Sequence, residues 1–332
     1  MKICVYGLGA IGGLMAAKLV KAGNPVRAVA RGATLEALRR EGLTLIDTDA
    51  TGQRRSTVLP IEASERPAEL GVQDLVIVAV KTTALPAVAR DIEPLLGPDT
   101  TVLSAMNGIP WWFFHRLTGA PPSMRLESVD PAGAISRAIP PQQVLGCVVH
   151  LAAIAEMPGV IRHVADNRLI VGAPDGKLAP RVQAIRDMLA AAGFDATASE
   201  RIQQEIWFKL WGNMTVNPIS AITGATGDRI LDDDNVRHFM TAIMREAADI
   251  GRRIGVPIDI DPEERHGLTR KLGAFRTSML QDVEAGKPVE LDAMVAAVIE
   301  IGRQVGVATP CTDALFGLAR LHARVRGLYP GA

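Results

Sequence analysis

The feature that most constrains the fold lies at the amino terminus, where a short apolar run leads directly into a glycine-rich loop. Residues 2–6 (KICVY) predict a buried parallel strand, and residues 14–22 predict a helix. The loop between them has the G-x-G-x-x-G spacing, which allows a tight turn, close approach of a pyrophosphate and packing of the helix on the strand. The phosphates would lie at the amino-terminal end of the helix. The predicted cofactor-binding residues of this loop are Gly7, Leu8, Gly9, Ala10, Ile11 and Gly12.

The residue after the second predicted strand, 25–30, bears on which dinucleotide is bound. An NAD-binding fold usually has Asp or Glu here to hold the ribose hydroxyls, but this chain has Arg31. Arginine cannot accept a hydrogen bond from a hydroxyl, whereas its guanidinium can fork onto a 2′-phosphate. Arg31 therefore predicts NADP (as NADPH) as the cofactor. The alternative is a solvent-facing arginine after a strand.

Two further strands end in polar residues. Residues 75–80 are the clearest buried strand and lead to Lys81, and residues 101–105 lead to Asn107 and Gly108. Because the carboxyl ends of parallel strands line the crevice of an open sheet, we expect Lys81 and Asn107 to meet cofactor or substrate. An Asn-Gly pair is also an ordinary turn. Residues 43–46 and 56–61 predict a hairpin with its turn at 47–55.

An unusual aromatic run, IPWWFFH at residues 109–115, follows Asn107 closely. It could form the wall of a substrate pocket. It could equally be a packing element or part of a subunit contact. The sequence leaves these alternatives open. A loop with two consecutive prolines follows at 121–122.

The second half of the chain is mainly helical in pattern. Helices are predicted at 200–217, 232–254, 262–285, 289–305 and 311–326. A length of 332 residues fits two domains, which we place at residues 1–198 and 199–332. The predicted fold class is α/β, with an N-terminal Rossmann-type doubly wound domain followed by an all-helical C-terminal domain.

The first of these helices carries a polar stripe within an apolar surface. Lys209, Asn213 and Asn217 are spaced four apart and share one face of a helix that also contains Trp207 and Trp211. A lysine beside two amides points into a cleft, or else it extends to solvent while the amides join helices. Because Pro218 follows directly, Asn217 is predicted to lie at a kink or helix end.

Ser278 and the nearby carboxylates Glu290 and Asp292 are further candidates in the helical half. The acidic side chains follow Pro288, so one interpretation is that they cap a helix start. The alternative is a carboxylate in the site of Lys209.

Composition argues against several other classes of function. Lysine and arginine together number 36, as do aspartate and glutamate, so the net charge is zero and gives no sign of nucleic acid or membrane as the main partner. The three cysteines are far apart, which predicts no metal site and a reducing, cytoplasmic environment. The amino terminus lacks a signal-peptide pattern. Assembly into a homodimer is left open.

Taken in order, these residues resemble the ketopantoate reductase family, whose members reduce 2-dehydropantoate with NADPH. The glycine loop is common to many families, but the Lys209, Asn213, Asn217 helix and the twelve-residue spacing between Ser278 and Glu290 are more specific. The resemblance implies a Rossmann domain and a helical domain with the active site between them. It implies that Lys209 acts on the substrate carbonyl and that Glu290 and Ser278 hold the substrate. We therefore predict Lys209 and Glu290 as the catalytic residues, and we expect Glu290 also to touch the cofactor. The family often has Gln where this chain has Met106, and a shorter loop than residues 109–115.

The predicted reaction is therefore NADPH-dependent reduction of a 2-oxo acid, with ketopantoate and its product pantoate as the first expectation. Asn107, Asn213, Asn217 and Ser278 would bind the substrate, a small 2-oxo acid. Reduction of another 2-oxo acid is one alternative. A 3-hydroxy acid dehydrogenase of similar architecture is a second, although the Ser278 and Glu290 segment argues against it. The third is a non-catalytic NADP-binding sensor, which would have no need of Lys209 and Glu290 together.

Overall fold

The computed structural model of this chain describes residues 1–48, 52–121 and 123–331. Part of the predicted hairpin turn (residues 49–51) and the second proline of the predicted loop (Pro122) lie outside the described residues. The chain folds into two compact units: Met1–Met106 with Gly133–Ile202, and Asn107–Ala132 with Gln203–Ala332.

These units differ from the predicted division at residue 198 mainly in the segment 107–132. This segment belongs with the helical unit because its backbone is bonded there. Ile109 N–H donates to the carbonyl of Ala293, and the N–H groups of Glu127 and Ser128 donate to the carboxylate of Glu300. These hydrogen bonds join residues far apart in the chain, so the sequence pattern gave no sign of them.

The described residues of the first unit form a ten-stranded mixed sheet. The strands are β1 (Ile3–Tyr6), β2 (Val26–Val29), β3 (Leu43–Thr48), β4 (Arg54–Leu59), β5 (Glu62–Ser64), β6 (Leu75–Val78), β7 (Thr101–Ser104), β8 (Val144–Met157), β9 (Val160–Gly172) and β10 (Asp195–Ala198). Their order is β4-β3-β9-β8-β7-β6-β1-β2-β5, with β10 beside β9. The pairs from β8 through β7, β6, β1 and β2 to β5 are parallel. The predicted hairpin is confirmed by the antiparallel pairing of β3 with β4.

The helices of this unit are α1 (Ala10–Lys21), α2 (Gly32–Glu41), α3 (Leu85–Asp91), α4 (Ala134–Ala138) and α5 (Pro180–Ala191). The four residues of β1 and the four of β6 are all buried, as expected for central parallel strands. Leu14, Met15 and Leu19 of α1 are fully buried in the same hydrophobic core. Burial of β1 and of one face of α1 therefore fixes the position of the loop between them.

The second unit is helical in its described part. It contains α6 (Ile202–Thr223, apart from its first residue), α7 (Gly227–Asp232), α8 (Asp234–Arg253), α9 (Pro262–Arg270), α10 (Ser278–Glu284), a π-helical turn (Asp292–Ala296), α11 (Ala297–Val305) and α12 (Pro310–Val325). The predicted fold class, a Rossmann-type domain followed by a helical one, is confirmed.

Two predicted helix boundaries were wrong. Helix α6 does not end at Asn217 but continues through Pro218 to Thr223. Met214, Val216 and Ile219 are all buried, and their packing outweighs the hydrogen bond that proline removes. The predicted helix 262–285 is two helices, α9 and α10, separated at Gly273, whose φ of +66° lies in the left-handed region.

Candidate active site

The glycine loop has the geometry of a phosphate cradle. Gly7 has φ +98°, and a Cβ added there would lie 2.6 Å from Cγ1 of Val80. A Cβ on Gly12 would lie 2.0 Å from the carbonyl oxygen of Gly7, so only glycine allows α1 to start this close to β1. At Gly9 the same addition meets nothing within 4 Å. The backbone of Gly9 therefore faces open space at the start of α1, where a bound pyrophosphate would accept hydrogen bonds from helix N–H groups.

The sheet brings most of the predicted cofactor residues to one edge. Because β6, β1 and β2 are adjacent and parallel, their carboxyl ends lie side by side. The glycine loop follows β1, Arg31 follows β2 by two residues, and Lys81 follows β6 by three. This is the edge at which an open parallel sheet binds its ligand. The residues present therefore fit a dinucleotide.

Arg31 lies at this edge and forms an ion pair. Its Nη2 lies 2.6 Å from Oδ2 of Asp91, the last residue of α3. The pair opens on a cavity of about 630 Å³. The hydroxyl of Tyr6, the last residue of β1, is buried close to the guanidinium of Arg31. Burial raises the pKa of this phenol and the nearby charge of Arg31 lowers it. The residues lining the cavity are Arg31, Glu65, Arg66, Pro67, Ala68, Arg90, Asp91, Glu93 and Pro94.

In the second unit, the structure joins Lys209 directly to Asn107. The ammonium group of Lys209 donates to Oδ1 of Asn107 over 2.8 Å, and both residues are half-buried. One helical turn further along α6, Asn213 is half-buried, and its side chain makes no hydrogen bond to another described residue. Asn217 is buried, and its amide donates to the sulfur of Met294. The polar stripe thus has a fixed end at Asn217 and a more open end at Lys209 and Asn213.

The segment that follows Glu290 is held against the same elements. Glu290 is half-buried and immediately precedes Leu291 and the π-helical turn. The carbonyl of Ala293, in this turn, accepts from the N–H of Ile109, and a Cβ on Gly108 would lie 2.7 Å from Cβ of Ala293. The Asn107 loop, α6 and the turn after Glu290 therefore meet around Asn217 and Ala293. Single π-helical turns are frequent at functional sites.

Ser278 and Asp292 differ in whether their side chains already have a hydrogen-bond partner. Ser278 is exposed, and its side chain makes no hydrogen bond to a described residue. The cap of α10 is its neighbour Thr277, whose hydroxyl accepts from the N–H of Leu280. The hydroxyl of Ser278 remains available to a ligand. Asp292 neither caps the helix start nor faces Lys209: its carboxylate accepts from the hydroxyl of Tyr329 over 2.5 Å. Burial raises the pKa of Asp292, and the Tyr329 hydroxyl opposes that rise.

Sequence reasoning missed three residues near these sites. Asp91 and Tyr329 could not be found from spacing, since each lies far along the chain from its partner. Arg265 lies against α6 on the face next to Lys209, with Cζ 5.6 Å from the ring centre of Phe208 and Nη1 donating to Oγ1 of Thr269. Within the part of the chain that the structure describes, Arg265 pairs with no carboxylate, and burial lowers its pKa.

The aromatic run 109–115 packs into the second unit. Trp111, Trp112 and Phe113 are 7%, 1% and 0% exposed, and the ring of Phe113 lies 6.1 Å from that of Trp207. These contacts favour the packing interpretation of the run. No helix among the described residues is long and apolar enough to cross a membrane. The same residues contain no group of three or more His, Cys, Asp or Glu side chains suited to a metal ion.

A phosphate cradle at the carboxyl edge of a Rossmann sheet, in a chain that also has a helical unit, is an arrangement typical of NAD(P)-dependent oxidoreductases. The chain belongs to the ketopantoate reductase family. The profile of Ketopantoate reductase PanE/ApbA matches residues 3–176, and that of its C-terminal part matches residues 201–323. The family consists of NADPH-dependent oxidoreductases that reduce ketopantoate to pantoate.

Individual relatives agree with this assignment. The chain is 43% identical to a 2-dehydropantoate 2-reductase of Mesorhizobium japonicum, over 99% of this chain and 100% of the relative. The crystal structure of a candidate ketopantoate reductase from Ralstonia solanacearum MolK2 is 54% identical, with a TM-score of 0.93 over 98% of this chain and 99% of the other. A PanE/ApbA family ketopantoate reductase from Ralstonia eutropha JMP134 is 25% identical, with a TM-score of 0.83 over 98% and 100% of the two chains.

Proposed function

We propose that this chain reduces 2-dehydropantoate to pantoate with NADPH. The observation that carries the proposal is the hydrogen bond from Lys209 to Asn107, which fixes a cation within the polar stripe of α6. It is supported by the 43% identity to the reductase of M. japonicum over the whole chain. A carbonyl that accepts a hydride develops negative charge on oxygen, and a pre-positioned cation stabilises that charge.

In the proposed mechanism, Lys209 is the proton donor. NADPH, when bound, would supply a hydride for the carbonyl carbon of the 2-oxo acid. The ammonium of Lys209 donates its proton to the carbonyl oxygen, and solvent then reprotonates the neutral amine. Asn107 orients the ammonium, while Asn213 and Ser278 offer uncommitted donors to the polar groups of the substrate. Glu290 holds a substrate hydroxyl from the start of the π-helical turn.

The same proposal assigns the cofactor contacts. The glycine loop would hold the pyrophosphate, and Arg31 would fork onto the 2′-phosphate. Lys81, Asn107 and Glu290 are assigned to contacts with the rest of the cofactor. Arg31→Ala should weaken NADPH binding by about 10- to 150-fold, the loss of a charge-assisted contact, and leave NADH binding nearly unchanged. Equal weakening of both cofactors, measured by fluorescence titration, would place Arg31 away from the phosphate.

The direct test of the substrate is steady-state oxidation of NADPH with 2-dehydropantoate beside a panel of other 2-oxo acids and of 3-hydroxy acids with NADP. We expect the highest kcat/KM for 2-dehydropantoate. A higher kcat/KM for another 2-oxo acid would support the proposed reaction but would identify a different substrate. Turnover only of a 3-hydroxy acid, or of nothing in the panel, would reject the proposal.

Two coarser features accompany the function. We propose the cytoplasm as the compartment, a proposal supported by the small number of cysteines, three in 332 residues, of which Cys4 and Cys147 are buried. We propose a homodimer, supported by an exposed apolar stripe on α12 in which Leu318, Leu321 and Val325 are 59%, 61% and 80% exposed. Sedimentation of the wild type and of Leu321→Glu tests this: a monomeric wild type would exclude the dimer.

A further inference from the structure

The pairing of Arg31 with Asp91 has a consequence for cofactor choice. Arg31 follows β2 and has the chemistry to hold a 2′-phosphate, yet one of its terminal nitrogens already lies 2.6 Å from a carboxylate oxygen. Both side chains are partly exposed, at 53% for Arg31 and 41% for Asp91. They face a cavity with three arginines and three acidic residues in its lining. A dianionic phosphate placed on Arg31 would therefore lie beside the carboxylate of Asp91.

The two anions compete for the same guanidinium. The donors of arginine are arranged in a rigid planar fork, so an edge that is occupied by Asp91 is not open to a bidentate phosphate. A carboxylate and a phosphate that share one cation also repel each other. Because the ion pair is exposed, its own strength is small, and a phosphate dianion can displace it. Displacement still costs the energy of the Arg31–Asp91 ion pair, and the phosphate is then repelled by the freed carboxylate. Both effects lower the observed affinity for the phosphorylated dinucleotide.

We propose that Asp91 is a specificity-determining residue that lowers the affinity of this chain for 2′-phosphorylated dinucleotides by holding Arg31 in the absence of cofactor. Asp91 thereby keeps the preference for NADPH over NADH smaller than Arg31 alone would give. This inference rests on the proposed role of Arg31 but not on the identity of the substrate.

The position of Asp91 makes it suitable for mutation. It is the last residue of α3, where a carboxylate faces the negative end of the helix dipole, so an asparagine there is tolerated. Glu93 provides a matched control. It lines the same cavity and carries the same charge, but it is exposed and forms no ion pair with Arg31.

The experiment measures dissociation constants by calorimetry on the full chain, without any 2-oxo acid. The ligands are NADPH, NADH, 2′,5′-ADP and 5′-AMP. In Asp91→Asn the constants for NADPH and 2′,5′-ADP should fall by about threefold to tenfold, as expected for an exposed ion pair and its repulsion. Those for NADH and 5′-AMP should stay within about twofold. In Glu93→Gln, all four should stay within about twofold.

Several results would overturn the proposal. If the dissociation constant for 2′,5′-ADP is unchanged in Asp91→Asn, Asp91 has no effect on cofactor choice. If it is higher, Asp91 helps Arg31 to bind the phosphate. An equal gain in affinity in Glu93→Gln would show that the effect comes from the overall charge of the cavity and not from the ion pair with Arg31. In an Arg31→Ala background, Asp91→Asn should lose its effect, because its partner is gone. A gain that persists there would exclude competition, while an Arg31→Ala variant with normal 2′,5′-ADP affinity would reject the role of Arg31 itself.

Discussion

The ammonium of Lys209 lies 2.8 Å from the amide oxygen of Asn107, although 102 positions separate the two residues in the chain. Asn107 follows a strand and Lys209 lies on a long helix, yet both residues belong to the helical unit. The hydrogen bond therefore joins the ammonium of α6 to the loop that follows β7 and helps to orient it. This arrangement is the basis of the mechanism proposed for the chain.

Lys209→Ala tests that mechanism most directly. If Lys209 is the proton donor and the charge at the carbonyl oxygen, kcat and kcat/KM should fall together by about 10²–10⁴-fold, with NADPH affinity nearly intact. The control is Lys287→Ala, which removes an exposed lysine of the same unit. Steady-state kinetics on protein shown to be folded by circular dichroism give the answer. A folded Lys209→Ala enzyme with near-normal kcat would contradict the proposed role of Lys209 as proton donor.

Asn107→Ala should act through Lys209. Loss of the acceptor leaves the ammonium less well oriented, and we expect kcat to fall by about tenfold, as for the loss of one hydrogen bond to a charged group. Residues that work as one unit give losses that do not add. In the Lys209→Ala background, Asn107→Ala should therefore have little further effect on kcat. Additive losses would show that Asn107 acts on the substrate or cofactor independently.

Gly108→Ala should damage the segment that positions Asn107. Gly108 has φ +78°, and an added Cβ would lie 2.7 Å from Cβ and 2.8 Å from the carbonyl oxygen of Ala293. We expect a loss of about 1–3 kcal/mol in the free energy of unfolding. Gly267→Ala is the matched control, because its Cβ would meet nothing within 4 Å in helix α9. Urea unfolding of both variants measures the difference, and equal stabilities would contradict the close approach of Gly108 to Ala293.

Trp112→Ala should affect stability more than substrate choice. The side chain is 1% exposed, and truncation of such a residue costs about 3–5 kcal/mol. Trp112→Phe should cost much less, because the indole N–H has no partner among the described residues and none is lost. Thermal unfolding tests the order of the two variants. A changed ranking of 2-oxo acids in folded Trp112→Phe, with unchanged stability, would instead make the ring part of a substrate pocket.

His266 should make stability fall at mildly acidic pH. It is buried, its Nε2 lies 3.0 Å from Oγ1 of Thr241, and burial lowers its pKa below 6.5. The unfolded state therefore binds more protons than the folded state near pH 6.5. The contribution of His266 to the free energy of unfolding is complete above that pH and is lost as the pH falls towards the pKa of the folded state. The loss amounts to about 1.4 kcal/mol for each unit by which the pKa is lowered. The charges that act on the imidazole are those of Glu263, Arg237, Arg265 and Asp261.

The measurement is the free energy of unfolding of wild type and His266→Gln from pH 7.5 to 5.0. Other titrating groups are common to both proteins and cancel in the difference. We expect any advantage of the wild type to shrink as the pH falls. A difference that is constant across this range would show that His266 has the same pKa in both states.

The sequence by itself determined the class of the fold and the cofactor side of the site. The strand, glycine loop and helix at residues 2–22 are local, and their function depends on backbone conformations that glycine alone permits without strain, as at Gly7. Arg31 and Lys81 could be placed because each follows a buried strand directly, and parallel pairing brings such ends to one edge. The four-residue spacing of Lys209, Asn213 and Asn217 predicted their shared face for the same reason: the helix repeat is local.

Only the tertiary structure decided which partners these residues meet. It placed Asn107 with the helical unit, paired Lys209 with Asn107, turned Asp292 to Tyr329 and gave Arg31 a carboxylate at Asp91. It also continued α6 through Pro218, although a proline at that position indicated a kink or a helix end. Each of these outcomes depends on interactions between residues far apart in the chain. The energies of these interactions come from packing and from charges that are close in space. The structural propensities of short segments carry no information about them.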